Sequence, residues 1–218
     1  MGERTVVHVM RHGEVHNPDG ILYERLPGFR LSANGLAMAR AVAEAFVDVP
    51  LTHLRTSPLQ RAVETIEPFA ATRPGLEVVT DERLTEAGNR FVGQVFGRHH
   101  AALWRPRNWP MMLNPLRPSW GEPFADIARR MTAALADAAG AAGPGGQALV
   151  VSHQSPIWIA RRAFEGKRPA HLPGTRTCSL ASITSFHFEG VHCVGTSYSE
   201  PAAHLLGADG NAAFSSGD

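Results

Sequence analysis

Arg11, His12, Arg61, Glu82, Glu86 and His153 are the side chains of this sequence best suited to do chemistry together. Two guanidiniums can neutralise a phosphoryl group and hold it through bidentate hydrogen bonds. A neutral imidazole placed between them can attack phosphorus directly. Flanking positive charge lowers the pKa of such an imidazole, so it stays unprotonated near neutral pH. A carboxylic acid can give the leaving oxygen its proton and later deprotonate water. A second imidazole can donate to oxygens that gain charge in the transition state. The sum would be phosphoryl transfer through a phosphohistidine, with no metal required.

These residues matter together only if the fold gathers them, and the hydrophobic pattern says how it would. Thr5 to Met10 reads as a buried strand running into Arg11-His12. Ser32 can cap a helix in which Leu36, Ala39, Ala43 and Phe46 recur at helical spacing. Leu51 to Thr56 reads as a second strand. Ser57-Pro58 then opens a helix, with Ser at the N-cap, Pro at the first helical position and a stripe of Leu59, Ala62, Val63, Ile66 and Phe69. Leu76 to Thr80 is a third strand, leading to Glu82 and Glu86. A later helix carries Phe124, Ile127, Ala128, Met131, Leu135 and Ala138, and stops at the Gly-Pro-Gly-Gly run at 143–146. Ala148 to Val151 is a fourth strand ending at Ser152-His153, and Ile157 to Phe164 a short helix. Leu180–Phe188 and Val191–Tyr198 would pair as a hairpin turning at Glu189-Gly190.

Such alternation predicts an α/β fold, a three-layer α/β/α sandwich around a mostly parallel central sheet. Ligands of these sheets sit outside the carboxyl ends of the strands. The two Arg, the two His and an acid would then converge on one crevice. Residues 1–206 read as a single domain with a lid-like insertion at about 87–121, and 207–218 as a flexible tail. The insertion holds five Arg and no Asp or Glu, with Trp104, Trp109 and Trp120 among them. It would cover the pocket and select anionic substrates with an apolar body, or else plug a sheet edge.

Composition closes other doors. The net charge of +1 gives no basic field for nucleic acid or a membrane surface. No stretch approaches the ~20 apolar residues of a membrane span. Cys178 and Cys193 are too few for a disulfide framework, and with the hairpin turning at Glu189-Gly190 they would lie far apart. Reduced thiols and a cytoplasmic location follow. His99-His100 lack partners at metal-ligand spacing. Glu14 could brace its loop or touch substrate. Gly13 could let the backbone approach a phosphate.

The chain resembles the histidine phosphatase superfamily, in its phosphoglycerate-mutase-like branch. The resemblance is carried by Arg11-His12-Gly13-Glu14 with Asn17, Leu31-Ser32-x-x-Gly35, Ser57-Pro58-x-x-Arg61-Ala62-x-x-Thr65, Leu84-x-Glu86, Gly121-Glu122 and Val150-Val151-Ser152-His153. It implies His12 as the phosphorylated nucleophile, Glu86 as general acid/base, and a substrate pocket of Arg11, Asn17, Arg61 and His153. No cofactor and no metal are expected, and the expected partner is a small phosphomonoester. Two features depart from the family pattern. Gln154-Ser155 stand where glycines usually follow the second His, and the acid segment is one residue short, which keeps Glu82 as a rival acid. Hydrolysis is the leading expectation. The alternatives are a cofactor-dependent phosphoglycerate mutase, which passes the phosphoryl group to an acceptor, and a non-catalytic phosphate-binding module.

Overall fold

Buried β-branched runs set the frame. In the computed structural model, which describes residues 3–88, 92–94, 121–169 and 175–207, six strands form one sheet. They are β1 (Thr5–Arg11), β2 (Leu51–Thr56), β3 (Val78–Thr80), β4 (Gln147–Ser152), β5 (Ile183–Glu189) and β6 (His192–Ser199), in the spatial order β3-β2-β4-β1-β5-β6. The β3, β2, β4 and β1 strands run parallel to one another, and β5 and β6 are antiparallel additions at the β1 edge. The sheet is therefore mixed and mostly parallel.

Period-two alternation sends the strand side chains to opposite faces. Val7, Val9, Ala148, Val150, Phe186 and Phe188 pack with the helices α3 (Phe124–Ala142) and α4 (Gln154–Phe164) through Ile127, Met131, Leu135 and Ile157. Met10, Leu54, Leu149, Val151 and Ile183 pack on the other face with Met38 and Val42 of α1 (Ala33–Ala45) and Ile66 and Phe69 of α2 (Gln60–Ala71). Three layers result. The neighbouring strands β1 and β4 lead into helices on opposite faces, so a crevice opens where their carboxyl ends meet.

Several boundaries differ from the pattern-based reading, each for a physical reason. Leu36 is on the solvent side of α1, whose buried stripe is Gly35, Met38, Ala39, Val42 and Ala43. The α2 helix begins at Gln60 with Leu59 at the N-cap and no side-chain cap, and the Ser57 hydroxyl lies closer to His153 Nε2, at 2.9 Å, than to Leu59 N–H, from which it accepts at 3.4 Å. The β3 strand is only three residues long because it pairs solely with Leu54–Thr56 of β2. The last hairpin turns one residue later than expected, at Gly190-Val191, so Glu189 faces His192 and Phe188 faces Cys193. Gly190 has φ 60 at the first loop position, where the twist of a hairpin favours a positive value.

Cys178 and Cys193 are both free thiols. No helix among the described residues is long and apolar enough to cross a membrane. The expected lid at 87–121 and the expected tail at 207–218 fall almost wholly outside the described residues.

Candidate active site

The end of β1 carries the two residues at the centre of the crevice. Arg11 and His12 continue the ladder through Arg11 N–H to the Ser182 carbonyl (3.0 Å) and His12 N–H to the Ser152 carbonyl (3.1 Å). Both side chains are buried. His12 Nδ1 lies 2.8 Å from the carbonyl oxygen of Gly13. A carbonyl can only accept, so Nδ1 holds the ring proton and Nε2 is left as a lone pair. Burial, and then the Arg61 and Arg11 charges, hold His12 well below its ordinary pKa. The ring is a buried neutral base with one lone pair.

The loop behind His12 is fixed by close packing. A Cβ on Gly13 would lie 2.6 Å from the Gly35 carbonyl oxygen, and one on Gly35 would lie 2.0 Å from that of Glu14. Gly13 is therefore dictated by the first turn of α1. The Glu14 carboxylate braces the same turn, accepting from Ser32 Oγ and from Asn34 Nδ2 at 2.9 Å. Thr65 Oγ1 accepts from Gly13 N–H (3.2 Å) and donates to the Arg61 carbonyl (2.6 Å), tying the loop to α2.

Arg61 is buried to 1% exposure and is held from several sides. Its guanidinium lies 4.7 Å above the Tyr23 ring, and Tyr23 stacks in turn on Phe29. Its Nη2 donates to the Glu24 carbonyl at 2.5 Å. Glu24 has φ 40, a left-handed conformation costly for a residue with a Cβ, and its carbonyl is the one that meets Arg61. Arg11 Nη1 donates to the Cys178 carbonyl at 2.7 Å, which Gln154 Nε2 also approaches at 3.4 Å. After these bonds, Arg11 Nε and Arg61 Nε remain buried with no partner among the described residues. Two such donors beside a neutral imidazole suit a tetrahedral oxyanion.

His153 follows β4 directly and stands at the N-cap position of α4. It is fully buried, with its ring centroid 5.1 Å from that of His12. Nδ1 is 3.3 Å from Arg61 Nη2, and Nε2 is 2.9 Å from Ser57 Oγ. Burial, then Arg61, His12, Arg11 and Arg130, push its pKa well down.

Glu86 lies partly buried at the rim, where its charge reaches Arg61, Tyr23, Arg176 and Cys178. Its Oε1 accepts from Ala87 N–H at 2.8 Å and its carbonyl from Arg25 Nε at 2.8 Å. Ser152 Oγ donates to the Leu84 carbonyl at 2.7 Å, which pins the acid-bearing loop to the end of β4. Glu82 is exposed at the start of a 3-10 turn (Glu82–Leu84), and its carbonyl accepts from Thr85. The Asn17 amide closes its own loop, donating to the Ile21 carbonyl at 2.9 Å and accepting from Ile21 N–H at 3.1 Å.

The structure thus gathers Arg11, His12, Arg61 and His153, with Glu86 beside them. Sequence reasoning missed Tyr23 and Glu24 under Arg61, Ser57 behind His153, and Arg176 near Glu86. Among the described residues no three His, Cys, Asp or Glu side chains group as a metal site would need.

The sequence profile described as the histidine phosphatase superfamily (branch 1) matches residues 7–200. An uncharacterized protein of Mycobacterium tuberculosis (strain CDC 1551 / Oshkosh) is 52% identical over 203 residues, covering 93% of this chain and all of its own length. A Yersinia enterocolitica protein named as a probable phosphoglycerate mutase is 33% identical over 189 residues, covering 81% of this chain and 83% of its own. Among solved structures, the phosphoserine phosphatase of Entamoeba histolytica in complex with 3-phosphoglyceric acid superposes with a TM-score of 0.74 at 23% identity, covering 93% of this chain and 100% of that one.

Proposed function

Because this chain belongs to the histidine phosphatase superfamily, branch 1, we propose that it is a phosphatase that hydrolyses a small phosphomonoester through a phosphohistidine on His12. The observation that carries this reading is the pair of buried Nε donors of Arg11 and Arg61, without partners among the described residues, on two guanidiniums whose charges reach an imidazole with its Nδ1 held by the Gly13 carbonyl. Bound there, a phosphoryl group presents phosphorus to Nε2. The Nε2–P bond forms as the P–O bond to the alcohol breaks, and Glu86 gives the leaving oxygen its proton. The Glu86 carboxylate then takes a proton from water, whose oxygen attacks phosphorus and releases His12. Arg11, Arg61 and His153 hold the equatorial oxygens throughout. Asn17 acts by shaping the loop that follows His12. Two free cysteines suit a reducing cytoplasm.

His12→Ala tests this reading. Turnover of every phosphomonoester should vanish while the circular dichroism spectrum is kept. Wild type quenched during turnover should carry an acid-labile, base-stable phosphoryl group on His12. Substantial turnover by the variant sinks the mechanism. The relative named as a mutase favours a second reading, transfer to an acceptor hydroxyl. The same assay separates the two, since a mutase isomerises its substrate without releasing inorganic phosphate.

A further inference from the structure

The hydroxyl of Ser57 has a place in the site that capping does not explain. Ser57 is fully buried at the end of β2. Its N–H donates to the Val151 carbonyl at 3.0 Å and its carbonyl accepts from Thr56 Oγ1 at 3.1 Å, so its backbone is locked against the end of β4. Its Oγ is 3.4 Å from Leu59 N–H but 2.9 Å from His153 Nε2. On the other side of the same ring, Nδ1 faces Arg61 Nη2 at 3.3 Å. Arginine only donates, so Nδ1 must be the accepting nitrogen and Nε2 must carry the proton. A hydroxyl is the group that can accept that proton without adding charge.

We propose that Ser57 is a positioning residue that holds His153 with its proton on Nε2, so that the Nδ1 lone pair, which accepts from Arg61 Nη2 in the free protein, can take the proton of a phosphomonoester monoanion once Arg61 turns to the bound phosphoryl group. The inference rests on His153 being a phosphate ligand, as in the function proposed above. The step balances simply. The P–O–H proton of the monoanion moves to Nδ1, leaving a phosphoryl dianion and an imidazolium. Nδ1–H then donates to the oxygen it deprotonated, while Nε2–H stays on Ser57 Oγ. Without substrate, the imidazolium is opposed by Arg61 from α2, Arg11 from the end of β1 and Arg130 from α3, and protonation of His12 beside it would add to that opposition. The carboxylates placed at the site, Glu86 and Glu24, act on Arg61. A bound dianion reverses that balance, and Ser57 ensures that the new proton lands on Nδ1, the nitrogen that Arg61 gives up.

The test joins ring-nitrogen NMR to kinetics. In 15N-labelled wild type, His153 should be the Nε2–H tautomer, and inorganic phosphate at pH 6 should protonate both nitrogens. Ser57→Ala should mix the tautomers and lower kcat on p-nitrophenyl phosphate about 10–100-fold, as expected for one buried donor left unpaired. The alkaline limb of kcat, which reports the bound complex, should move to lower pH. Ser57→Thr, which restores a hydroxyl, should recover both. A His153 already protonated at Nδ1 in the free protein overturns the proposal, as does an unchanged tautomer and pH profile in Ser57→Ala. Phosphate that perturbs His12 but leaves His153 neutral overturns it and spares the phosphatase reading. Phosphate that perturbs neither ring overturns both.

Discussion

Protonating a leaving oxygen matters most when the leaving alcohol is poor, which makes the proposed role of Glu86 separable from phosphate binding. Glu86→Gln should slow alkyl phosphates by ~10²–10⁴-fold, and p-nitrophenyl phosphate, whose phenolate leaves unaided, far less. Steady-state kinetics on both substrates checks it. An equal loss on both, or a larger selective loss in Glu82→Gln, moves the acid role away from Glu86. Glu82 is exposed, whereas the Glu86 charge reaches Arg61, so the geometry favours the first outcome. Arg11, His12, Arg61 and His153 were legible as a group because each lies at or just beyond the carboxyl end of a strand, and sheet topology gathers such ends. Their supports were not. Tyr23 and Glu24 lie in a loop with no periodicity, and nothing near them marks an aromatic platform or a left-handed turn. Ser57 misled for a better reason: Ser-Pro before a helical stripe is a sound capping signal, and only the contact with His153 shows where the hydroxyl goes.

Between elements, the information lies in close approaches. Gly35 opens α1 against the loop after His12, and an added Cβ there would sit 2.0 Å from the Glu14 carbonyl oxygen. Backbone on both sides leaves no flexible side chain to move aside. Gly35→Ala should therefore cost about 1–3 kcal/mol, as overpacking does, and shift the loop that aims His12. Urea denaturation should give a lower midpoint with an unchanged slope, and kcat should fall more than stability alone requires. A variant with wild-type midpoint and kcat would show that the helix can slide away freely. Gly35 is visible in the sequence as part of a motif, but its reason is a contact with a residue in another loop. The same limit explains the hairpin. Composition marks the turn, while the pairing of Glu189 with His192 depends on which residue adopts the positive φ, here Gly190. Strand β2, by contrast, was legible to the residue because Pro50 and Ser57-Pro58 bound it, and proline cannot donate to the ladder.

At the scale of the whole molecule, the site makes folding depend on pH. His12 and His153 are buried neutral among guanidiniums, and His8 is held between Gln147 Oε1 and Ser185 Oγ, each at 2.8 Å. All three have pKa values lowered from 6.5 by burial first. A base whose folded pKa lies below its unfolded one binds fewer protons when folded. Stability therefore rises with pH across the interval between the two values and is lost as pH falls below about 6.5. Each ring contributes at most about 1.4 kcal/mol per pH unit in that interval, so the three set a slope of up to about 4. Asp81 and Glu122 also lose stability in acid, but their unfolded values of 3.8 and 4.5 confine that loss to lower pH. The window from about pH 5 to 6.5 thus belongs to the histidines. Chemical denaturation should give a clearly lower unfolding free energy at pH 5.5 than at pH 7.5, with no further gain from these groups at pH 8.5. His153→Gln should flatten the slope, since it removes one ring that must stay neutral. Equal or greater stability at pH 5.5 would mean that the rings are protonated in the folded protein, and that His12 is not the free base an attack on phosphorus requires.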